Sequence, residues 1–178
     1  MPSKITKWKE LSREIVFQKY SRKIEKIMFQ LPDKKESDFY IKKEGPATGI
    51  LAMTKDDQVI LVKQFRPGPN EILNELPGGF IDKNETPEQA AERELLEETG
   101  YKGKIHLVTE AFDCAYSTMN RYCMVATECE KVAEQKLGNA EFLEVILVSL
   151  DEFKKLLRSG KSTDIEVGYL GLDFLKLL

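Results

Sequence analysis

Hydrophobic and polar positions along the chain fall into short alternating elements, with strand-like runs first and helical runs towards the end. Ile15 to Lys43 reads as strands broken by a turn at Leu31-Pro32-Asp33-Lys34, although the alternation through Lys26-Ile27-Met28-Phe29 is ragged. Gly49 to Met53 and Val59 to Val62 are apolar runs joined by the polar Lys55-Asp56-Asp57, which predicts a buried hairpin. Arg66-Pro67-Gly68-Pro69 then forms a loop, Ile72 to Leu76 a short strand, and Pro77-Gly78-Gly79 a turn. Thr86, Pro87, Gln89 and Gly100 supply an N-cap, a first-turn proline, a capping-box partner and a C-cap for a helix from Pro87 to Thr99. Strands are expected at Lys104–Ala111, Arg121–Thr127 and Phe142–Ser149, followed by helices from about Leu150 and from Thr163 to the C-terminus. Val167, Leu170, Phe174 and Leu178 repeat at helical spacing and are expected in the core. The alternation of strands with a few helices predicts an α/β fold, a sheet sandwiched between helices.

Composition narrows this picture without changing it. With 178 residues, 42% hydrophobic and 32% charged, the chain suits one well-packed core. No run is long enough to span a bilayer, and no apolar segment follows the N-terminal Met-Pro-Ser-Lys-Ile-Thr-Lys-Trp, so a cytoplasmic setting without membrane partners is expected. The net charge of -3 argues against nucleic acid as a partner. Cys114, Cys123 and Cys129 lack metal-site spacing and read as partly buried small hydrophobes. The single histidine, His106, excludes a histidine-rich metal centre.

The helix from Pro87 to Thr99 carries the candidate chemistry. Glu94, Glu97 and Glu98 share one arc at about 100° per residue, while Ala91 and Leu95 point to an adjacent face that packs on the sheet. Arg93 precedes Glu97 by one turn and is placed to pair with it. A solvated acidic face is the competing reading. It fits poorly, because like charges at this spacing cost roughly 0.2–0.5 kcal/mol per pair and sit near the negative pole of the helix. A hard divalent cation such as Mg²⁺ or Mn²⁺ would reverse that penalty.

Gly79, Glu85, Arg93-Glu94-Leu95, Glu97-Glu98 and Gly100-Tyr101 match every fixed position of the Nudix box, and the chain resembles the Nudix hydrolases. The resemblance implies a Nudix α/β/α sandwich with a mixed sheet, the box forming a loop, helix and loop. Glu94, Glu97, Glu98 and the Gly78 carbonyl are implied metal ligands, Mg²⁺ being the expected ion and Mn²⁺ the alternative. Arg93 and Glu85 are implied to orient them. The segments Val62-Lys63-Gln64-Phe65-Arg66-Pro67, Glu75 to Asp82 and Glu141 to Val145 are similar to those of ADP-ribose pyrophosphatases. That similarity implies hydrolysis of a nucleoside diphosphate sugar, with Arg66 and Glu75 at the substrate and Glu141 as the base on a loop through Gly138-Asn139-Ala140 able to close. Solvated loop residues are the alternatives for Arg66 and Glu141. Trp8 is implied either to stack on adenine or to anchor a subunit contact. Residues 1–45 are expected to be a strand extension building a homodimer, and residues 46–178 the Nudix domain. One departure stands out: Cys114-Ala115 occupies the place of a Pro-Gly turn, leaving Tyr116 as a residue that could face ligand. Dinucleoside polyphosphates or modified nucleotides as substrates, or nucleotide binding without catalysis, are the other functions open to this box.

Overall fold

The computed structural model describes residues 5–139 and 141–178. Two units are distinguished by their internal packing, one of residues 1–45 with 112–120, the other of residues 46–111 with 121–178. Met1–Lys4 and Ala140 lie outside the described residues.

The first unit is an antiparallel sheet of β1 (Lys9–Lys19), β2 (Arg22–Gln30) and β3 (Glu36–Lys43), in that order. The proline turn at Leu31 to Lys35 separates β2 from β3, as the sequence predicts. The first strand begins earlier than Ile15 and is exposed along its whole length, so it offers no contrast between a buried and a solvated face. Glu25, 2% exposed, is held by Arg13 and Lys43 from the two flanking strands, which drives its carboxyl below the usual range. Trp8 packs against Phe29 and Phe39 at ring-centroid distances of 6.1 and 5.4 Å. In the returning segment Tyr116 is exposed, and its carbonyl accepts from the Lys42 amide at 2.8 Å. Despite Cys114-Ala115, this segment still turns, Ser117 N–H donating to Cys114 O at 3.3 Å.

The second unit contains β4 (Ala47–Thr54), β5 (Gln58–Arg66), β6 (Glu71–Glu75), α1 (Pro87–Thr99), β7 (Tyr101–Phe112), β8 (Asn120–Lys131), β9 (Leu143–Ser149), α2 (Leu150–Ser159) and α3 (Ile165–Phe174). The sheet runs β6-β5-β4-β8-β7, with β9 also pairing antiparallel to β5. Because β4 and β8 are parallel and β4 and β5 antiparallel, the sheet is mixed. Successive side chains alternate between its faces. Ile50, Ala52, Ile60, Met124 and Ala126 meet Ala91 and Leu95 of α1. Leu51, Met53, Val59, Leu61, Cys123 and Val125 meet Phe153, Leu157, Val167 and Leu172 of α2 and α3. Burial on both faces explains why β4 and β5 read as continuous apolar runs rather than alternating ones. The expected α/β/α sandwich is therefore observed.

Two expectations are corrected. The last helix ends at Phe174, and its buried face is Val167, Gly168, Gly171 and Leu172 rather than a stripe ending in Phe174 and Leu178, both of which are exposed. Gly168 and Gly171 let α3 approach closely: a Cβ at Gly171 would stand 2.7 Å from Leu51 Cδ2. Among the cysteines, Cys123 and Cys129 are buried but Cys114 is exposed.

Candidate active site

The first helix of the second unit forms as its sequence specifies. The Thr86 side chain accepts from the Gln89 amide, the Gln89 side chain accepts from the Thr86 amide, and Gly100 closes the helix at φ 75°. Ala91 and Leu95 face the sheet, and Glu94 and Glu98 reach the Pro77-Gly78-Gly79 turn. That turn is pinned to the start of β4. Ile50 N–H donates to Pro77 O at 3.0 Å, Thr48 N–H to Gly79 O at 2.8 Å and Ile81 N–H to Pro46 O at 3.0 Å. Gly78 is required by the backbone around it, and Gly79 leaves room for the Glu94 carboxylate. A Cβ on Gly78, at φ 154°, would lie 2.3 Å from Thr48 O, and one on Gly79 would lie 2.4 Å from Glu94 Oε1.

The carboxylates are organised by two donors. Arg93 gives Nε and Nη2 to Glu85 at 2.9 and 3.0 Å, and Nη1 to Glu94 at 2.8 Å and Glu97 at 3.3 Å. Its Nη2 also reaches Phe80 O at 3.0 Å, tying helix to loop. The expected Arg93–Glu97 pair is thus one part of a larger clamp. Glu98, 9% exposed, accepts from the Gly78 amide at 2.9 Å. Among the described residues no three carboxylate, histidine or cysteine side chains converge on one point as a ready-made metal cage.

Burial raises the carboxyls of Glu94 and Glu98, and neighbouring carboxylates add to the rise. Desolvation pushes the Glu98 carboxyl up to about 8; the Gly78 amide and Arg66 oppose the rise, whereas Glu94 and Glu141 add to it. Glu94 is raised for the same leading reason, against the pull of Arg93. Glu85 is lowered by its hydrogen bonds from Arg93. Oxygen donors whose ionisation burial opposes, compensated by one backbone amide and two arginines, fit a hard divalent cation as their counter-charge.

A stability consequence follows for chelator-treated protein. The folded state holds the Glu98 proton up to about pH 8, while the unfolded chain releases it near 4.5. The folded form therefore binds the extra proton between these values, and the contribution of Glu98 to stability falls as pH rises through that window. Thermal melts from acid to mildly alkaline pH should show wild type losing ground steadily to Glu98→Gln across it, and flat differences outside it. A constant difference would mean that Glu98 titrates normally.

The remaining candidates have contacts of their own. Arg66, at the end of β5, donates Nε to Glu75 Oε2 at 2.6 Å, and Glu75 is 0% exposed. Glu141 is exposed on its loop, where its Oε2 accepts from the Gly138 amide at 2.7 Å. Trp8 and Tyr116 belong to the first unit. Gln135 was not singled out by sequence reading, yet its Nε2 donates to Glu98 O at 2.6 Å beside a Lys136 N–H to Glu97 O bond of 2.8 Å. Thr163, which donates to Glu75, was read only as a helix start.

Comparison with known proteins gives concordant matches. The model described as NUDIX domain matches residues 43–167. An ADP-ribose pyrophosphatase of Bacillus subtilis (strain 168) is 34% identical over 151 residues, covering 83% of this chain and 81% of its own. An ADP-ribose pyrophosphatase of Saccharomyces cerevisiae is 32% identical over 167 residues, covering 81% and 72% respectively. In three dimensions the chain matches the crystal structure of an ADP compounds hydrolase with a TM-score of 0.82 over 98% of this chain and 97% of that one, at 19% identity.

Proposed function

Because this chain belongs to the NUDIX domain family, we propose that it is a pyrophosphohydrolase that cleaves ADP-ribose or a related nucleoside diphosphate sugar. Water adds to one phosphorus of the diphosphate, the bridging P–O bond breaks, and a nucleoside monophosphate and a sugar phosphate leave. The observation that carries this reading is the seating of Glu94 and Glu98 against the Gly78-Gly79 turn, with Glu97 held by Arg93 on the same arc of α1, which fits what the box implies. Names of relatives similar over most of the chain supply the substrate class.

The residues divide the work. Glu94, Glu97 and Glu98, with the Gly78 carbonyl, are the candidate ligands of Mg²⁺, with Mn²⁺ as the alternative. Such an ion neutralises phosphate oxygens and lowers the pKa of water. The neighbouring carbonyls of Pro77 and Gly79 are committed to Ile50 and Thr48, which fixes the peptide between them. Arg93 holds two of the ligands and Glu85 in register. Arg66 offers its guanidinium fork to the diphosphate, and Glu75 fixes that arginine. Glu141 is the candidate base that takes the proton from the attacking water, once freed from the Gly138 amide.

The homodimer, built on the first unit, belongs to the same proposal. Leu11, Ile15, Val16 and Phe17 are exposed on β1, the apolar surface expected of an interface. The packing of Trp8 against Phe29 and Phe39 supports an anchoring role there over stacking on a base. Among the described residues no helix is long and apolar enough to cross a membrane. Three free thiols suit a reducing, cytoplasmic setting.

The test is a panel of nucleoside diphosphate sugars, dinucleoside polyphosphates and modified nucleotides incubated with Mg²⁺ or Mn²⁺. Products are identified by mass spectrometry in isotopically labelled water. ADP-ribose giving AMP and ribose phosphate, with label in one of them, is expected. Absence of turnover across the panel refutes the enzymatic reading.

A further inference from the structure

We propose that Thr163 is a positioning residue for the substrate-binding arginine, acting through the buried Glu75. The inference rests on the reading that Arg66 meets the diphosphate.

Glu75 is a carboxylate with no solvent access at all. Such a group is stable only when both oxygens are met. Arg66 Nε meets Oε2 at 2.6 Å, and the Thr163 hydroxyl donates to Oε1. Arg66 lies at the end of β5 and Glu75 at the end of β6, on the same face of the antiparallel pair in which Val62 faces Glu75 and Arg66 faces Glu71. The pair alone fixes one edge of the carboxylate. Rotation about the last carbon–carbon bond of Glu75 would still swing Oε2 and carry the arginine with it. A second bond at Oε1 blocks that rotation.

Thr163 is suited to this by what surrounds it. Its Oγ1 also stands 3.2 Å from Asp164 Oδ2, but a hydroxyl has one proton to give. Asp164 has its charge met by Arg121 of β8, which also lies 3.5 Å from Glu166. The hydroxyl proton therefore goes to Glu75. The turn before α3 is thereby fixed to β8 on one side and to the β5–β6 edge on the other. Since Glu75 takes the Nε–H of Arg66, the two Nη groups remain to fork onto phosphate oxygens.

The test combines a substrate-free probe with kinetics on the full chain. In nitrogen-15 NMR spectra without ligand, Thr163→Val is expected to shift the Arg66 Nε–H signal and speed its exchange with water, and Thr163→Ser to restore both. With ADP-ribose and Mg²⁺, Thr163→Val is expected to raise KM about tenfold with kcat within about twofold, again restored by Thr163→Ser. In an Arg66→Ala background, Thr163→Val should change nothing further, because its effect passes through that side chain. Thr163→Ala is read in the same way if the valine variant does not fold. An unmoved Arg66 signal, or a Thr163→Val effect that adds fully to Arg66→Ala, overturns the proposal. If Thr163→Val gives the NMR response while the wild type turns over no ADP-ribose, the enzymatic reading is refuted and the coupling of Thr163 to Arg66 stands.

Discussion

Glu98→Gln is expected to lower kcat/KM by more than about a hundredfold while leaving the chelator-treated protein at least as stable as wild type at neutral pH. The lower bound comes from comparison: changing residues that only orient metal ligands typically costs about 10–100-fold, and Glu98 is a candidate ligand itself. The stability half comes from burial. A carboxyl whose pKa is pushed up to about 8 is carried mostly protonated in the folded state at neutral pH, so the unfolded chain gains by ionising it. Glutamine has nearly the same shape, keeps an oxygen to accept from the Gly78 amide and has no charge to bury. Activity assays with ADP-ribose beside thermal melts check both halves. Near-normal turnover would remove Glu98 from the ligand set. A large loss of stability would mean that the ionised carboxylate is structural.

The second large effect is expected of Gly78→Ala, which should lose about 2–5 kcal/mol, from backbone strain and from overpacking, and most of the activity. At φ 154° an L side chain is strained, and its Cβ would lie 2.3 Å from the Thr48 carbonyl, a backbone atom that cannot swing aside. Relief requires moving the turn off β4, breaking the bonds from Ile50 and Thr48 and withdrawing the amide that holds Glu98. The melting temperature of a domain this size should fall by roughly 5–15 °C. A variant melting like wild type would show that the turn relaxes without cost.

What was legible in the sequence was what neighbours in the chain decide. Both ends of α1 follow from Thr86, Pro87, Gln89 and Gly100, because caps act over three or four residues. The buried pair β4 and β5 follows because burial on both sides leaves continuous apolar runs at their centres. The placement of Glu94, Glu97 and Glu98 on one helix face likewise needed only helical geometry. What was not legible depends on distant partners. Thr163 gains its role from Glu75, 88 residues away. The buried face of α3 was misjudged because Gly168 and Gly171 carry no hydrophobic signal, yet they set how closely the helix meets Leu51 and Leu157. Helical spacing alone gives the Arg93 clamp only at Glu97; the bonds to Glu85 and Phe80 depend on how the loop before the helix folds back.

The bonds at the end of α1 also bear on how the protein opens. The carbonyls of Glu97, Glu98 and Gly100 are taken by Lys136, Gln135, Val132 and Ala133, from the stretch that leads to Glu141. These carbonyls form the negative pole of a helix whose last turn carries no basic residue. Peeling the stretch away would leave that pole bare beside three carboxylates, so the stretch and the last helical turn are expected to fray together. Hydrogen exchange is then expected to protect the amides of Val132, Ala133 and Lys136 to the same degree as those of the last helical turn.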